Sequence, residues 1–195
     1  YGTITAWPDV SADGIRVQGF AGWKAGMTHV LVHNTNPTST SAGQEVRRAV
    51  TVVETPPMKV LGVRGYVMDP YGLRTAGEVW CEPDDLPSGI TPRLANATRG
   101  ERDASEGRKP AKRAGRIPKR TAGFNQAAYD ALLASELIEV RIIAATQPQL
   151  VSGTSSKTAE IMELNLAGGT TSEKLEWARE RLGSDITIDD VWEDG

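Results

Sequence analysis

The sequence predicts an α+β protein whose strands pair antiparallel. Three observations carry that expectation. Residues 14–80 hold short β-branched and aliphatic runs separated by turn signals, without intervening helices, which suggests an antiparallel meander or part of a barrel. Residues 124–182 mix helical and strand periodicities. Between the two parts, Arg93–Arg120 is too basic and too poor in apolar residues to bury a core, so it is expected to be extended or disordered when free.

The elements follow in order. Val30–Val32 reads as strand, Asn34–Gly43 as a polar loop, and Val46–Val53 as a strand ended by Pro56-Pro57. Val60–Val67 is the next strand, with Gly62 and Gly65 permitting a bulge or a close backbone approach. Asp69-Pro70-Tyr71-Gly72 has the composition of a type I turn, with Pro second and Gly fourth, and Leu73–Trp80 returns as a strand. In the second part, Phe124–Ser135 spaces Ala128, Leu132 and Ser135 helically, and Gly123 or Asn125 can start that helix. Leu137–Thr146, ended by Pro148, and Ala159–Leu166 read as strands, the latter half exposed with Glu163 and Asn165 between apolar residues. Thr170-Thr171-Ser172-Glu173 fits a capping box, Leu175, Ala178 and Leu182 form the apolar stripe behind it, and Gly183 stands at the left-handed stop.

Composition narrows the function classes. The 195 residues, 39% of them apolar, allow one domain or two small ones. One cysteine excludes an intrachain disulfide framework and a paired-cysteine zinc site, and fits a reducing compartment. No window nears the roughly 20 continuous apolar residues of a membrane helix, and no signal peptide opens the chain, so a soluble protein is expected. The net charge of −3 conceals a segregation: between Arg93 and Arg120, ten Lys and Arg face three acids, a local +7 that leaves −10 elsewhere. Such a strip can follow a phosphate backbone and release counterions, or can be a solvated linker.

The motifs for catalysis and metal binding do not form. His29 and His33 are four apart, but Val30-Leu31-Val32 between them argues for a strand, which separates the rings by about 13 Å, too far for one zinc ion. Gly168-Gly169 ahead of a helix lacks the Lys-Ser/Thr of a phosphate loop and the three-glycine dinucleotide pattern. Asp185–Asp194 lacks the alternating ligands and central glycine of a calcium loop. No nucleophile elbow is present, Cys81 beside Trp80 reads as buried, and the Asp84-Asp85 and Asp189-Asp190 pairs have no apolar context to raise a carboxyl pKa. The expectation is therefore no catalytic residue, no metal and no cofactor.

The residues do resemble a known family. Gly19–His29 (GFAGWKAGMTH), Val52–Met58 (VVETPPM), Gly62–Tyr66 (GVRGY) and Pro70–Arg74 (PYGLR) closely resemble large-subunit ribosomal protein L-three of the archaeal and eukaryotic type. Val140–Ala144, Thr146–Pro148, Lys157, Ile161–Glu163, Gly168-Gly169 and Glu176–Leu182 match in the same order, so the resemblance covers most of the chain apart from the basic segment.

The resemblance implies a non-enzymatic structural constituent of the large ribosomal subunit, cytoplasmic, binding large-subunit rRNA and neighbouring ribosomal proteins and supporting assembly. Neither a membrane nor a small-molecule substrate is expected as a partner. The implied fold is a partial translation-protein-type antiparallel β-barrel with an α+β insertion. Residues 1–80 would form its first part, 81–123 a basic flexible connection, 124–182 the insertion, and 183–195 the return toward the barrel. The implied rRNA contacts are Lys24, Thr28, His29, Arg64, Tyr71 and Arg74, with Arg108, Lys109, Lys112, Arg113, Arg116, Lys119 and Arg120 from the strip: cations for phosphates, and Thr, His and Tyr for sugar or base edges and stacking.

Family members also carry a basic tail before the Trp7-Pro8 region. Beyond the position of Gly195 they continue into a long loop toward the peptidyl-transferase centre and the remaining barrel strands. The expectation is an amino-terminal portion with unpaired strand edges. The alternatives are a small barrel-type ligand-binding or enzymatic domain that has left the ribosome, and a non-functional truncated copy.

Overall fold

Paired glycines on two neighbouring strands leave a hollow in the sheet, and a helix is seated over it. The strands are β4 (Met58–Asp69) and β5 (Gly72–Trp80), an antiparallel hairpin in which Gly65 pairs with Gly77. Helix α1 (Gln126–Ala134) places Leu132 there: a Cβ built on Gly65 would come within 3.0 Å of Leu132 Cδ2, and one on Gly77 within 3.2 Å. The computed structural model describes residues 4, 6–8, 14–82, 85, 87, 90 and 123–192.

The described chain forms two compact units, 22–55 and the remainder. The larger contains a six-stranded sheet in the order β1-β7-β6-β4-β5, where β1 is Arg16–Val17, β6 Glu139–Ala145 and β7 Ile161–Ala167. Strand β8 (Asp185–Ile186) also pairs with β4, at Met58 and Lys59, and the strand pairings of this sheet are antiparallel. The sheet thus draws β4 and β5 from the first part of the sequence and β6 and β7 from the second.

One sheet face is apolar because alternate residues point to one side. Val63, Val79, Val140, Ile142, Leu164 and Leu166 are buried there with Tyr129 and Leu132 of α1 and Leu175 and Ala178 of helix α2 (Thr171–Glu180). Asn125 caps α1 by accepting from the Ala128 amide, and Ser135 turns extended to end it. The expected capping box on α2 is present, with the Thr170 hydroxyl and the Glu173 side chain satisfying each other's backbone donors. Gly183 stops the segment after it at φ +74°.

The smaller unit is a two-stranded ribbon, β2 (Trp23–His33) with β3 (Glu45–Glu54). The first-part strands therefore form two hairpins in two sheets rather than one continuous meander among the described residues. Period-two alternation, β-branched runs and turn composition locate each strand, but they carry no information on which hairpins share a sheet. Among the described residues the architecture is α+β, with antiparallel sheets and two α-helices. Among the described residues no helix is long and apolar enough to cross a membrane.

Candidate nucleic-acid interface

Three of the expected contacts, Lys24, Thr28 and His29, lie exposed on β2. A bulge at Ala25 decides which of them act together. Lys24 is opposite Val53 while Gly26 is opposite Val52, so one residue of β2 is left without a partner. Paired residues project to the same side, and side chains alternate along β3. Lys24 therefore shares a face with Met27, His29, Leu31 and His33, opposite Val53, Thr51, Ala49, Arg47 and Glu45. Thr28 points the other way, with Val30 and Val32, opposite Val50, Arg48 and Val46. Simple alternation from the sequence would have grouped Lys24 with Thr28. Arg47, which sequence reading did not single out, donates from Nη2 to Nδ1 of His29 at 3.0 Å.

Tyr71 and Arg74 belong to the larger unit. Pro70 and Tyr71 form the tip of the β4–β5 hairpin between the paired Asp69 and Gly72, whose φ of +118° suits glycine. Tyr71 is 100% exposed, so its ring packs against none of the described residues. The Arg74 side chain is 72% exposed and lies 3.8 Å from Asp69, a surface pair of little energetic weight. Met68 and Leu73 pair beside this tip and are both exposed. The result is an aromatic face, a cation and apolar side chains clustered at one hairpin end.

Arg64 is placed differently. Its guanidinium pairs with Glu78 of β5 at 2.5 Å and with Glu163 of β7, and its side chain is largely covered. Tyr66 donates its hydroxyl to Glu163 at 2.6 Å, and Arg141 donates to Glu139 at 2.6 Å while lying 4.3 Å over the Tyr66 ring. These residues occupy the sheet face opposite the apolar core, where a cavity of about 480 Å³ opens between Trp7, Trp80, Tyr66 and Glu163. The charges lining it are engaged with one another. The period-two alternation at Ile161–Ala167 revealed that Glu163 turns away from the core, but not that β6 separates it from the strand carrying Arg64.

Arg108, Lys109, Lys112, Arg113, Arg116, Lys119 and Arg120 lie outside the described residues, as does the whole Arg93–Arg120 strip. Among the described residues, no group of three or more His, Cys, Asp or Glu is arranged to hold a metal ion. Cys81 is buried at the end of β5, and that burial, with Asp85 nearby, pushes its thiol up to about 11. It is therefore protonated and poorly nucleophilic at neutral pH.

Comparison with known proteins adds kinship to this geometry. The large ribosomal subunit protein uL3 of Archaeoglobus fulgidus is 37% identical over 192 residues, 98% of this chain and 50% of that protein. The uL3 of Picrophilus torridus is 33% identical over 194 residues, 100% of this chain and 50% of its own length. That of Methanothrix thermoacetophila is 34% identical over 196 residues, 98% of this chain and 50% of the relative. The chain thus spans about half the length of the curated relatives it matches. The profile of the family described as ribosomal protein L3 matches residues 1–195. Because that match takes in the β2–β3 ribbon, the β4–β5 tip and both helices together, the chain belongs to the ribosomal protein L3 family.

Proposed function

We propose that the chain acts as a non-enzymatic structural constituent of the large ribosomal subunit, binding large-subunit rRNA beside neighbouring ribosomal proteins in the cytoplasm and supporting subunit assembly. The relatives are named as large ribosomal subunit proteins. The observation that carries the reading is the wholly exposed Tyr71 at a hairpin tip with Arg74 beside it. An aromatic face with no partner among the described residues, next to an exposed cation held only by a loose surface pair with Asp69, suits stacking on an unpaired base and contact with a phosphate.

In this reading Lys24, His29, Tyr71 and Arg74 are direct rRNA contacts, and Thr28 supports the ribbon. Arg64 serves by holding the sheet face together, since its guanidinium is committed to Glu78 and Glu163. The strip containing Arg108, Lys109, Lys112, Arg113, Arg116, Lys119 and Arg120, which lies outside the described residues, supplies cations for phosphates. The fold would be part of a translation-protein-type barrel, with residues 1–80 its first strands, 81–123 the connection, 124–182 the α+β insertion and 183–195 the return.

The test is removal of four cations, Lys109, Lys112, Arg113 and Arg116, to alanine. Affinity for large-subunit rRNA should fall, and the slope of log affinity against log salt should flatten by about 3, at about 0.7 to 0.9 per phosphate contact. Unchanged affinity and slope would make the strip a linker only.

A further inference from the structure

We propose that the β2–β3 ribbon meets RNA through one face only, the face bearing Lys24, His29 and Arg47, and that Arg47 is a contact residue of that face. The proposal rests on the rRNA-binding reading and says which side chains of the ribbon carry it out.

The two faces differ in chemistry. One holds Lys24, His29, His33 and Arg47 with a single acid, Glu45, among the apolar Met27, Leu31 and Val53. The other holds Trp23, Val30, Val32, Val46, Val50 and Val52, with Thr28, and has one cation, Arg48, and one acid, Glu54. Valines offer a phosphate or a sugar hydroxyl no donor, whereas cations and imidazoles do. Exposure follows the same division. Met27 and Leu31 on the first face are 65% and 66% exposed, against 40% and 44% for Val30 and Val32 on the second.

The Arg47–His29 contact adds a specific feature. A guanidinium can only donate, so Nδ1 of His29 is the acceptor and the neutral ring carries its proton on Nε2. His29 thereby offers an N–H donor, and Arg47, bonded through Nη2, retains its other N–H groups for a phosphate oxygen. The bulge at Ala25 brings Lys24 onto this same face, so two cations and one oriented imidazole are presented together. Arg48, next in sequence to Arg47, stands opposite Val30 on the valine face.

That adjacency supplies the experiment. Arg47→Ala and Arg48→Ala remove the same charge from neighbouring positions of one strand, but from opposite faces. With the purified full chain and large-subunit rRNA fragments titrated across salt, R47A should weaken binding about three- to tenfold and lower the salt slope by about 0.7. R48A should change affinity less than twofold. His29→Gln, on the partner strand, should weaken binding in the same direction as R47A, with circular dichroism verifying that each variant is folded. Equal losses for R47A and R48A, or a larger loss for R48A, would overturn the face assignment while leaving rRNA binding intact. Wild-type chain that binds no rRNA would instead remove the reading on which the assignment stands.

Discussion

Arg64 on β4 reaches over β6 to pair with Glu163 on β7, a strand with which β4 does not pair. The ion pair ties β4 to β7 across β6 through side chains, independently of the backbone ladder. Glu78, on the other side of β4, takes the second half of the guanidinium, and its side chain is only 9% exposed.

Removing Arg64 therefore leaves a nearly covered carboxylate without its cation. Arg64→Ala should cost about 1–3 kcal/mol of stability in urea unfolding, and Glu163→Gln a similar amount. Because the two groups share one interaction, the double variant should cost less than the two single losses combined, by at least about 0.5 kcal/mol. Strict additivity would mean that the pair contributes nothing.

Glycines on the two sheets should respond to substitution by different amounts. A Cβ on Gly62 would lie 2.7 Å from the Val79 carbonyl oxygen, a backbone atom fixed by the β4–β5 ladder, whereas one on Gly26 meets nothing within 4 Å. Gly62→Ala should destabilise by about 1–3 kcal/mol, and Gly26→Ala by less than about 0.5 kcal/mol. Thermal melts of the two variants distinguish them, and equal shifts would contradict the packing described for β4.

The α2 cap sets an acid-side pH dependence. The Glu173 carboxylate accepts from the Thr170 amide, which holds its pKa below the usual carboxylate range. A lowered folded-state pKa contributes stability that is present above the unfolded value and lost as pH falls through the folded one. The difference in melting temperature between wild type and Glu173→Ala should thus be largest near neutrality and vanish in acid. A difference that stays constant down to acid pH would show that the carboxylate charge is irrelevant to the cap. Asp190, whose pKa is lowered by the Thr187 amide, should behave in the same way.

Cys81 sets the alkaline side. Its thiol titrates near 11 in the fold against 9.0 unfolded, so the stability it contributes is complete below 9 and declines as pH rises through about 11. At pH 8, a disulfide reagent should modify Cys81 slowly in the native chain and rapidly in urea. Rapid native modification would mean that the end of β5 is open to solvent.

The sequence made single elements legible and left their assembly hidden. The capping box at Thr170–Glu173 and the stop at Gly183 follow from local chemistry and are found, and of the two starts open to α1, Gly123 and Asn125, the cap is Asn125. The separation of β2–β3 from β4–β5 depends on long-range pairing that no local window contains. Two of the site's relationships were invisible for the same reason. The bulge at Ala25 reverses the side on which Lys24 projects, and the Arg64–Glu163 pair needs the strand order before it can be seen.

The most direct measurement is binding of the purified chain to large-subunit rRNA fragments against unrelated RNA of equal length, titrated across salt. Preferential, steeply salt-dependent binding to one rRNA region is the predicted result. Equal affinity for both RNAs, or none for either, would contradict the proposed function.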